Sequence, residues 1–182
     1  MYVDCGALVD GAGEVIEDAR LRVEDGEVVE AGPCEDVAAD GERIDHSREV
    51  VAPGFVDTHV RVQGLRTMDP ADWVLADDAA YAARATVDCR RLLEAGFTGV
   101  RGVGSSVGLG LREAIEHGDV AGPRIYTSGR AITQTGGHGD AHFLPYEWTE
   151  GGGFGSTTAD GVAECRKVAR RRLREGVDCL RS

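Results

Sequence analysis

The chain has 182 residues, 42% of them hydrophobic, and a formal net charge of −12, values that suit a globular protein with its own core. So acidic a surface repels nucleic acid and anionic lipid, and no apolar stretch is long enough to cross a membrane, so we expect no nucleic-acid or membrane partner. Five cysteines without a C-x-x-C spacing favour reduced thiols, and the N-terminus lacks a secretory pattern, which together predict a cytoplasmic protein.

The first 50 residues are predicted to form short strands separated by turns. Asp25-Gly26 lies between two runs of alternating apolar and charged residues, which favours a two-residue hairpin turn with positive φ. Leu21 and Val23 are then expected on the buried face, and the charged residues that alternate with them on a wet face. The sequence therefore predicts a small antiparallel sheet with one solvent-facing side over residues 1–50.

From residue 51 onward, strands and helices are predicted to alternate. The predicted strands lie within 49–62, over 97–101, over 124–129 and from 177 onward. The first of them has the apolar character of a buried strand. The predicted helices cover 69–94, 110–118 and 159–175. This order indicates a parallel sheet with right-handed crossovers, and hence an α/β second segment over 51–182.

Local signals refine three of these elements. Asp69-Pro70 has the character of an N-cap followed by proline at the first helical position. The last helix places Val162, Cys165, Ala169 and Leu173 at helical spacing, which predicts that they form its buried stripe. Between the third strand and this helix lies a Gly-rich loop over 130–157, and loops of that length are often functional.

A glycine run offers a different class of function. Gly102, Gly104 and Gly108 follow a predicted strand and precede a predicted helix, as they do in a dinucleotide-binding loop. The helix that follows is short, and no acidic residue ends the next strand. An NAD(P) site is therefore the less favoured alternative.

The segment V-V-A-P-G-F-V-D-T-H-V-R-V, with Pro53, Gly54, Asp57 and His59, resembles the first barrel strand of the amidohydrolase superfamily. Further matching stretches are L-L-E-A-G-F-T-G-V-R-G-V-G and A-G-P-R-I-Y-T-S-G-R-A-I-T-Q-T-G-G-H-G-D. The second of these is most similar to the imidazolonepropionase-like and Xaa-Pro dipeptidase-like branch.

The resemblance implies a (β/α)₈ barrel with a small β-sandwich. It also implies one or two divalent metals, often zinc, that activate water to hydrolyse an amide or related C–N bond. A small-molecule amide or dipeptide is the implied substrate.

The chain departs from the family pattern at the metal-binding strand ends. Where the family has two histidines in H-x-H, this chain has His59 and Arg61, and a guanidinium cannot ligate a metal. Asp57 is predicted on the same face, where an ion pair with Arg61 would occupy the metal position. Arg181 stands where the family usually has the lysine that forms a carbamate, and a guanidinium is too basic for that reaction.

Length is a third departure. A barrel of this type takes about 250 residues, so residues 51–182 suit about four βα units, a partial barrel. His59 is then the one family metal ligand retained, whereas zinc requires three or four ligands, so we expect weak or absent zinc binding.

The Gly-rich loop contains two further histidines. By resemblance, His138 lies over the active site and contacts substrate, with an ordinary structural role as the equal alternative. His142 is predicted to be a hydrogen-bonded loop residue.

The sequence thus predicts an amidohydrolase-family protein that corresponds to the N-terminal half of the barrel and whose stand-alone activity is doubtful. Three alternatives remain open. The chain is half of a split enzyme with a complementary C-terminal half or a homo-oligomeric partner, a non-catalytic remnant, or a binding protein that reuses the fold.

Overall fold

A computed structural model describes residues 1–67, 69, 76–142, 144–149 and 156–182. The chain forms two compact units, Met1–Pro53 and Gly54–Ser182. None of the helices in these described ranges combines the length and the apolar character needed to cross a bilayer.

The first unit is a single four-stranded sheet. Its strands are β1 (Tyr2–Val9), β2 (Val15–Glu24), β3 (Glu27–Pro33) and β4 (Arg43–Val51), in the spatial order β3-β2-β1-β4. The β1–β2 and β2–β3 pairs are antiparallel, but β1 and β4 are parallel. The prediction of a purely antiparallel sheet is therefore wrong, because the chain crosses from β3 to the far edge and enters β4 in the direction of β1.

The predicted hairpin is confirmed. Glu24 pairs with Glu27, and the two turn residues Asp25 and Gly26 have φ values of 50° and 82°. Both values lie in the left-handed region that this tight turn requires and that glycine adopts without strain. Leu21 is buried, as predicted.

The face of β2 that carries the charged residues is not uniformly solvent-exposed, because Arg20 is only 8% exposed. Its Nε donates to Asp4 Oδ1 at 2.5 Å, and its Nη1 donates to the carbonyl of Val37 at 2.7 Å. These contacts satisfy the guanidinium inside the unit. The alternation in the sequence does not reveal them, because both partners are distant along the chain.

The second unit is a mixed α/β structure in which strands and helices alternate as predicted up to residue 127, whereas the predicted loop over 130–157 contains short strands and one helical turn. Its strands are β5 (Phe55–Val60), β6 (Phe97–Gly102), β7 (Arg124–Thr127), β8 (Ala131–Thr133) and β9 (Ser156–Thr158), and its helices are α1 (Asp78–Glu94), α2 (Gly108–Glu116), α3 (Tyr146–Thr149) and α4 (Gly161–Arg174). Strands β5, β6 and β7 form one parallel sheet in that order, and β8 and β9 form a parallel pair.

The core of the second unit lies between this sheet and helices α1 and α2. Its buried members are Val62, Tyr81, Ala85, Cys89, Val100, Val107, Leu111 and Ile125. Helix α1 begins at Asp78, because Asp77 has extended φ and ψ angles and its side chain accepts a hydrogen bond from the backbone N–H of Ala79 at 2.7 Å. A continuous helix from Asp69 to Glu94 is therefore wrong, and Pro70 lies outside the described residues.

Strand β5 is not a buried strand in this chain. Phe55 and Val56 are each 62% exposed although they point to opposite faces of the sheet, so the described chain covers neither face at the start of β5.

The predicted buried stripe of the last helix is also wrong. Val162 is 74% exposed and Leu173 is 58% exposed, whereas Arg172 is 6% exposed. Arg172 Nη2 donates to Thr157 Oγ1 at 2.5 Å, so α4 packs against the described chain through a charged residue and turns its apolar stripe outward.

The chain after α4 does not form the predicted fourth strand. The backbone N–H of Asp178 donates to the carbonyl of Thr127 at 2.9 Å, and the N–H of Ile132 donates to the carbonyl of Arg181 at 2.8 Å. These single bonds hold residues 177–182 beside β7 and β8 without a strand ladder.

Candidate functional site

The second unit contains a cavity of about 720 Å³. Its wall is formed by Arg61 after β5, Gly104 after β6, residues 131–134 and 137–142, the start of α4 and Arg181. Residues that follow the carboxyl ends of parallel strands thus contribute to it, which is where open and closed α/β sheets place their ligand sites. The cavity is the candidate functional site.

Two aspartates that the sequence analysis did not single out hold the Gly-rich segment in shape. Asp160 accepts hydrogen bonds from the backbone N–H of Thr135 at 3.0 Å and from its hydroxyl at 2.6 Å. The bond from the Thr135 side chain is the largest cause of a pKa of Asp160 below its ordinary value. Asp140, 8% exposed, accepts from the N–H of Gly136 at 2.8 Å. The signal in the sequence is the short T-G-G-H-G-D run, whose N–H groups need local acceptors.

Both histidines of this segment line the cavity. The side chain of His138 is exposed, so it is available to a ligand, as its predicted role requires. The Nδ1 of His142 lies 3.3 Å from the carbonyl oxygen of Asp140, consistent with the predicted hydrogen-bonded loop residue.

Arg61 and Arg181 line the same cavity although they are 120 positions apart in the sequence. Arg181 Nη1 donates to the carbonyl of Val103 at 2.8 Å, which holds the side chain beside the end of β6. Burial lowers the pKa of the Arg181 guanidinium from its ordinary value, and the positive charge of Arg61 lowers it further. The two positive charges therefore repel each other at the cavity wall.

Asp57 and His59 are not part of this wall. The Oδ1 of Asp57 accepts a hydrogen bond from the backbone N–H of His59 at 2.8 Å, and the His59 side chain is exposed. The expected ion pair between Asp57 and Arg61 does not form. Strand β5 ends at Val60 and its pairing is irregular between Asp57 and Val60, so strand alternation does not aim positions 59 and 61 at one point.

The residues of the cavity do not fit a catalytic metal. Within the described ranges, no group of three or more histidine, cysteine, aspartate or glutamate side chains is placed to hold a metal ion. The two positions at which the resemblance places ligands are permanent cations, which repel a metal ion. We therefore derive no chemical step through a metal in this chain.

One glycine of the run that resembles a dinucleotide-binding loop has a packing explanation. A Cβ added at Gly108 would lie 2.7 Å from Thr127 Oγ1, so this glycine lets α2 approach β7 closely. Close packing of the helix on the sheet accounts for Gly108 without a dinucleotide.

Comparison with known proteins identifies a matching family and a related enzyme. The model of the amidohydrolase family matches residues 50–181. Ochratoxinase from Aspergillus niger is 29% identical over 193 aligned residues, which cover 97% of this chain and 40% of that protein. The alignment thus extends through both units.

Solved structures give the same result. A prolidase complexed with N-methylphosphonate-L-proline has a TM-score of 0.82 at 29% identity, covering 99% of this chain and 45% of that one. A Xaa-Pro dipeptidase with methionine in its active site has a TM-score of 0.82 at 27% identity, with coverage of 98% and 45%. The chain corresponds to the N-terminal part of these proteins and spans less than half of their length.

Proposed function

The chain belongs to the amidohydrolase family, and from that premise we propose that it provides the N-terminal half of a barrel that hydrolyses amide or peptide-like C–N bonds. In this role it supplies one wall of the substrate site and depends on a C-terminal half-barrel for the remaining catalytic groups. The family is generally metal-dependent, and its metal, zinc in the simplest case, would supply an activated water.

One observation supports the proposal above all others. Arg61, Arg181 and the His138 loop converge on one cavity, so positions that the family motif relates to catalysis meet in space although they are far apart in sequence. The relatives are named ochratoxinase, prolidase and Xaa-Pro dipeptidase. We therefore propose an N-acyl amino acid or a dipeptide as the substrate class.

His138 is the residue we propose to contact this substrate. It lines the cavity with an exposed side chain, and the flanking Gly137 and Gly139 let its loop pack closely against Thr133 and Ser156. Asp57 and His59 are the residues through which β5 would contribute to a metal site, His59 as a ligand and Asp57 as its support, once other ligands complete the site.

The exposed apolar residues favour a covering partner. Phe55 and Val56 on the β5 edge and Leu173 on α4 are more than half exposed, and open strand edges with apolar side chains pair readily with other chains. We propose a complementary half-barrel, whether from the same or another polypeptide, as the cover, with self-association as the alternative.

The experiment measures zinc content, oligomeric state and hydrolysis of an N-acyl amino acid and a Xaa-Pro dipeptide by the purified chain. We expect less than one zinc per chain and no hydrolysis above background, because a lone His59 makes no zinc site. Binding of the same amides, followed by calorimetry, should weaken in His138→Ala and stay unchanged in His117→Ala, an exposed histidine at the end of α2. Stoichiometric zinc with turnover in the isolated chain would overturn the half-site proposal.

A non-catalytic binding protein is the second candidate, and one observation favours it. Both Arg61 and Arg181 replace residues that the family motif uses for metal binding, and shortening a barrel does not by itself require either change. Restoring Arg61→His and Arg181→Lys together should raise zinc retention if the site is a disabled metal centre. No change in zinc retention would favour a chain adapted to binding alone.

A further inference from the structure

Two guanidinium groups face the cavity without a carboxylate partner. Arg181 spends one donor on the carbonyl of Val103, and neither Arg181 nor Arg61 forms an ion pair with any residue in the described ranges. A guanidinium offers five N–H donors in a planar fork. The cavity wall therefore presents unused donors from two side chains.

The two aspartates that line the cavity are engaged elsewhere. Asp140 accepts from the backbone of Gly136, and Asp160 accepts twice from Thr135. Both aspartates thus serve to hold the Gly-rich segment and are not bound to the arginines.

This arrangement has a definite chemical preference. Burial, and after it the positive charge of Arg61, lowers the pKa of the Arg181 guanidinium, and an anion between two cations replaces their repulsion with attraction. Guanidinium forks match the oxygen pairs of carboxylate and phosphate with two parallel hydrogen bonds. A cavity of about 720 Å³ is large enough for a small molecule that ends in such a group.

We propose that the Arg61–Arg181 wall of the cavity binds a small oxyanion, the phosphate or carboxylate group of a small molecule, in the region where the family motif would hold a metal cation. This binding requires no hydrolysis and no zinc. It is therefore independent of the proposed amide hydrolysis. That proposal is tested by turnover and by the binding of amides to His138→Ala.

The test is calorimetric titration of the full chain with inorganic phosphate and, separately, with succinate, at constant ionic strength in chloride. We expect saturable binding of one anion per chain by at least one of them, and the stronger ligand identifies the source of the oxyanion. Arg61→Gln should weaken it roughly tenfold or more, because it removes one charged fork. Arg90→Gln, which removes an exposed arginine from α1, is the matched control and should leave affinity unchanged.

Arg181 needs a gentler variant, because its bond to Val103 also supports the fold. Arg181→Lys keeps the charge and loses the fork, so we expect intermediate weakening with an unchanged melting temperature. Absence of saturable binding by both anions overturns the proposal. An equal loss of anion affinity in Arg61→Gln and Arg90→Gln also overturns it. So does stoichiometric zinc binding whose affinity is unchanged when phosphate is added.

Discussion

Asp4 is the residue whose protonation most directly links the first unit to pH. The hydrogen bond from Arg20 is the largest cause of an Asp4 pKa below its ordinary value, and the charge of Arg20 adds to it. Because an aspartate in an unfolded chain has a pKa of about 3.9, the ion pair contributes its full stability above that pH. The contribution is lost as the pH falls through the lower pKa of the folded state.

We therefore expect the urea midpoint of the first unit, followed by circular dichroism, to fall as the pH decreases below about 4. Asp4→Asn should be less stable at neutral pH and should show a shallower acid slope. Asp36→Asn removes an exposed carboxylate and should keep the wild-type slope. An acid slope identical in wild type and Asp4→Asn would contradict this account.

Cys89 and Cys165 provide a second prediction for single residues. Burial raises the pKa of the Cys89 thiol to about 11, and Asp88 adds to the rise, whereas Cys165 is exposed on α4. The thiolate is the reactive form. At pH 8, iodoacetamide should therefore alkylate Cys165 in the native chain and leave Cys89 protected, as read by mass spectrometry. In urea, iodoacetamide should label both cysteines. Equal labelling rates of Cys89 and Cys165 in the native chain would show that α1 is not packed as described.

Helices α2 and α4 illustrate what a periodic pattern determines at the scale of an element. The apolar periodicity locates both helices to within two residues of their ends, because the 3.6-residue repeat is a local property. It does not determine which stripe is buried, because that depends on what covers the helix. Leu111 of α2 is 4% exposed between sheet and α1, whereas Leu173 of α4 is 58% exposed.

A matched pair of substitutions follows from this difference. Leu111→Ala should lower the free energy of unfolding by about 3 kcal/mol, because it opens a cavity in a closed core. Leu173→Ala should change it by less than about 0.5 kcal/mol, because the side chain is exposed. Urea unfolding monitored by circular dichroism measures both. A large loss in Leu173→Ala would mean that another chain covers α4 in solution, and dilution would then lower the midpoint.

The strands show the same limit in a different form. The parallel direction of β5, β6 and β7 follows from the alternation of elements, since parallel neighbours require crossovers. In contrast, β4 runs parallel with β1 and not antiparallel as predicted. Its direction depends on a path of the chain across the sheet that no local residue specifies. Likewise, the family motif identified Arg61, Arg181 and His138. The supporting Asp140 and Asp160 were missed because their role lies in hydrogen bonds to backbone N–H groups.

Charge is distributed unevenly at the scale of the whole molecule. Residues 1–53 contain 15 of the 32 acidic residues and 4 of the 20 basic residues, a formal charge of −11, so residues 54–182 are nearly neutral at −1. Self-repulsion in the folded state is therefore concentrated in the first unit. It is opposed there by the ion pairs of Arg20 and Arg22 with their neighbours.

This asymmetry predicts that salt stabilises one unit more than the other. Raising KCl from about 0.05 to about 1 M shortens the Debye length to near 3 Å and removes most of the repulsion between exposed carboxylates. For a unit of this size, about 1 kcal/mol of relief raises the melting temperature by roughly 5 °C. Hydrogen exchange read peptide by peptide during heating separates residues 1–53 from residues 54–182. We expect the melting temperature of the first unit to rise with KCl and that of the second unit to change little. A melting temperature that falls with salt in the first unit would mean that its attractive ion pairs outweigh the surplus of acidic charge.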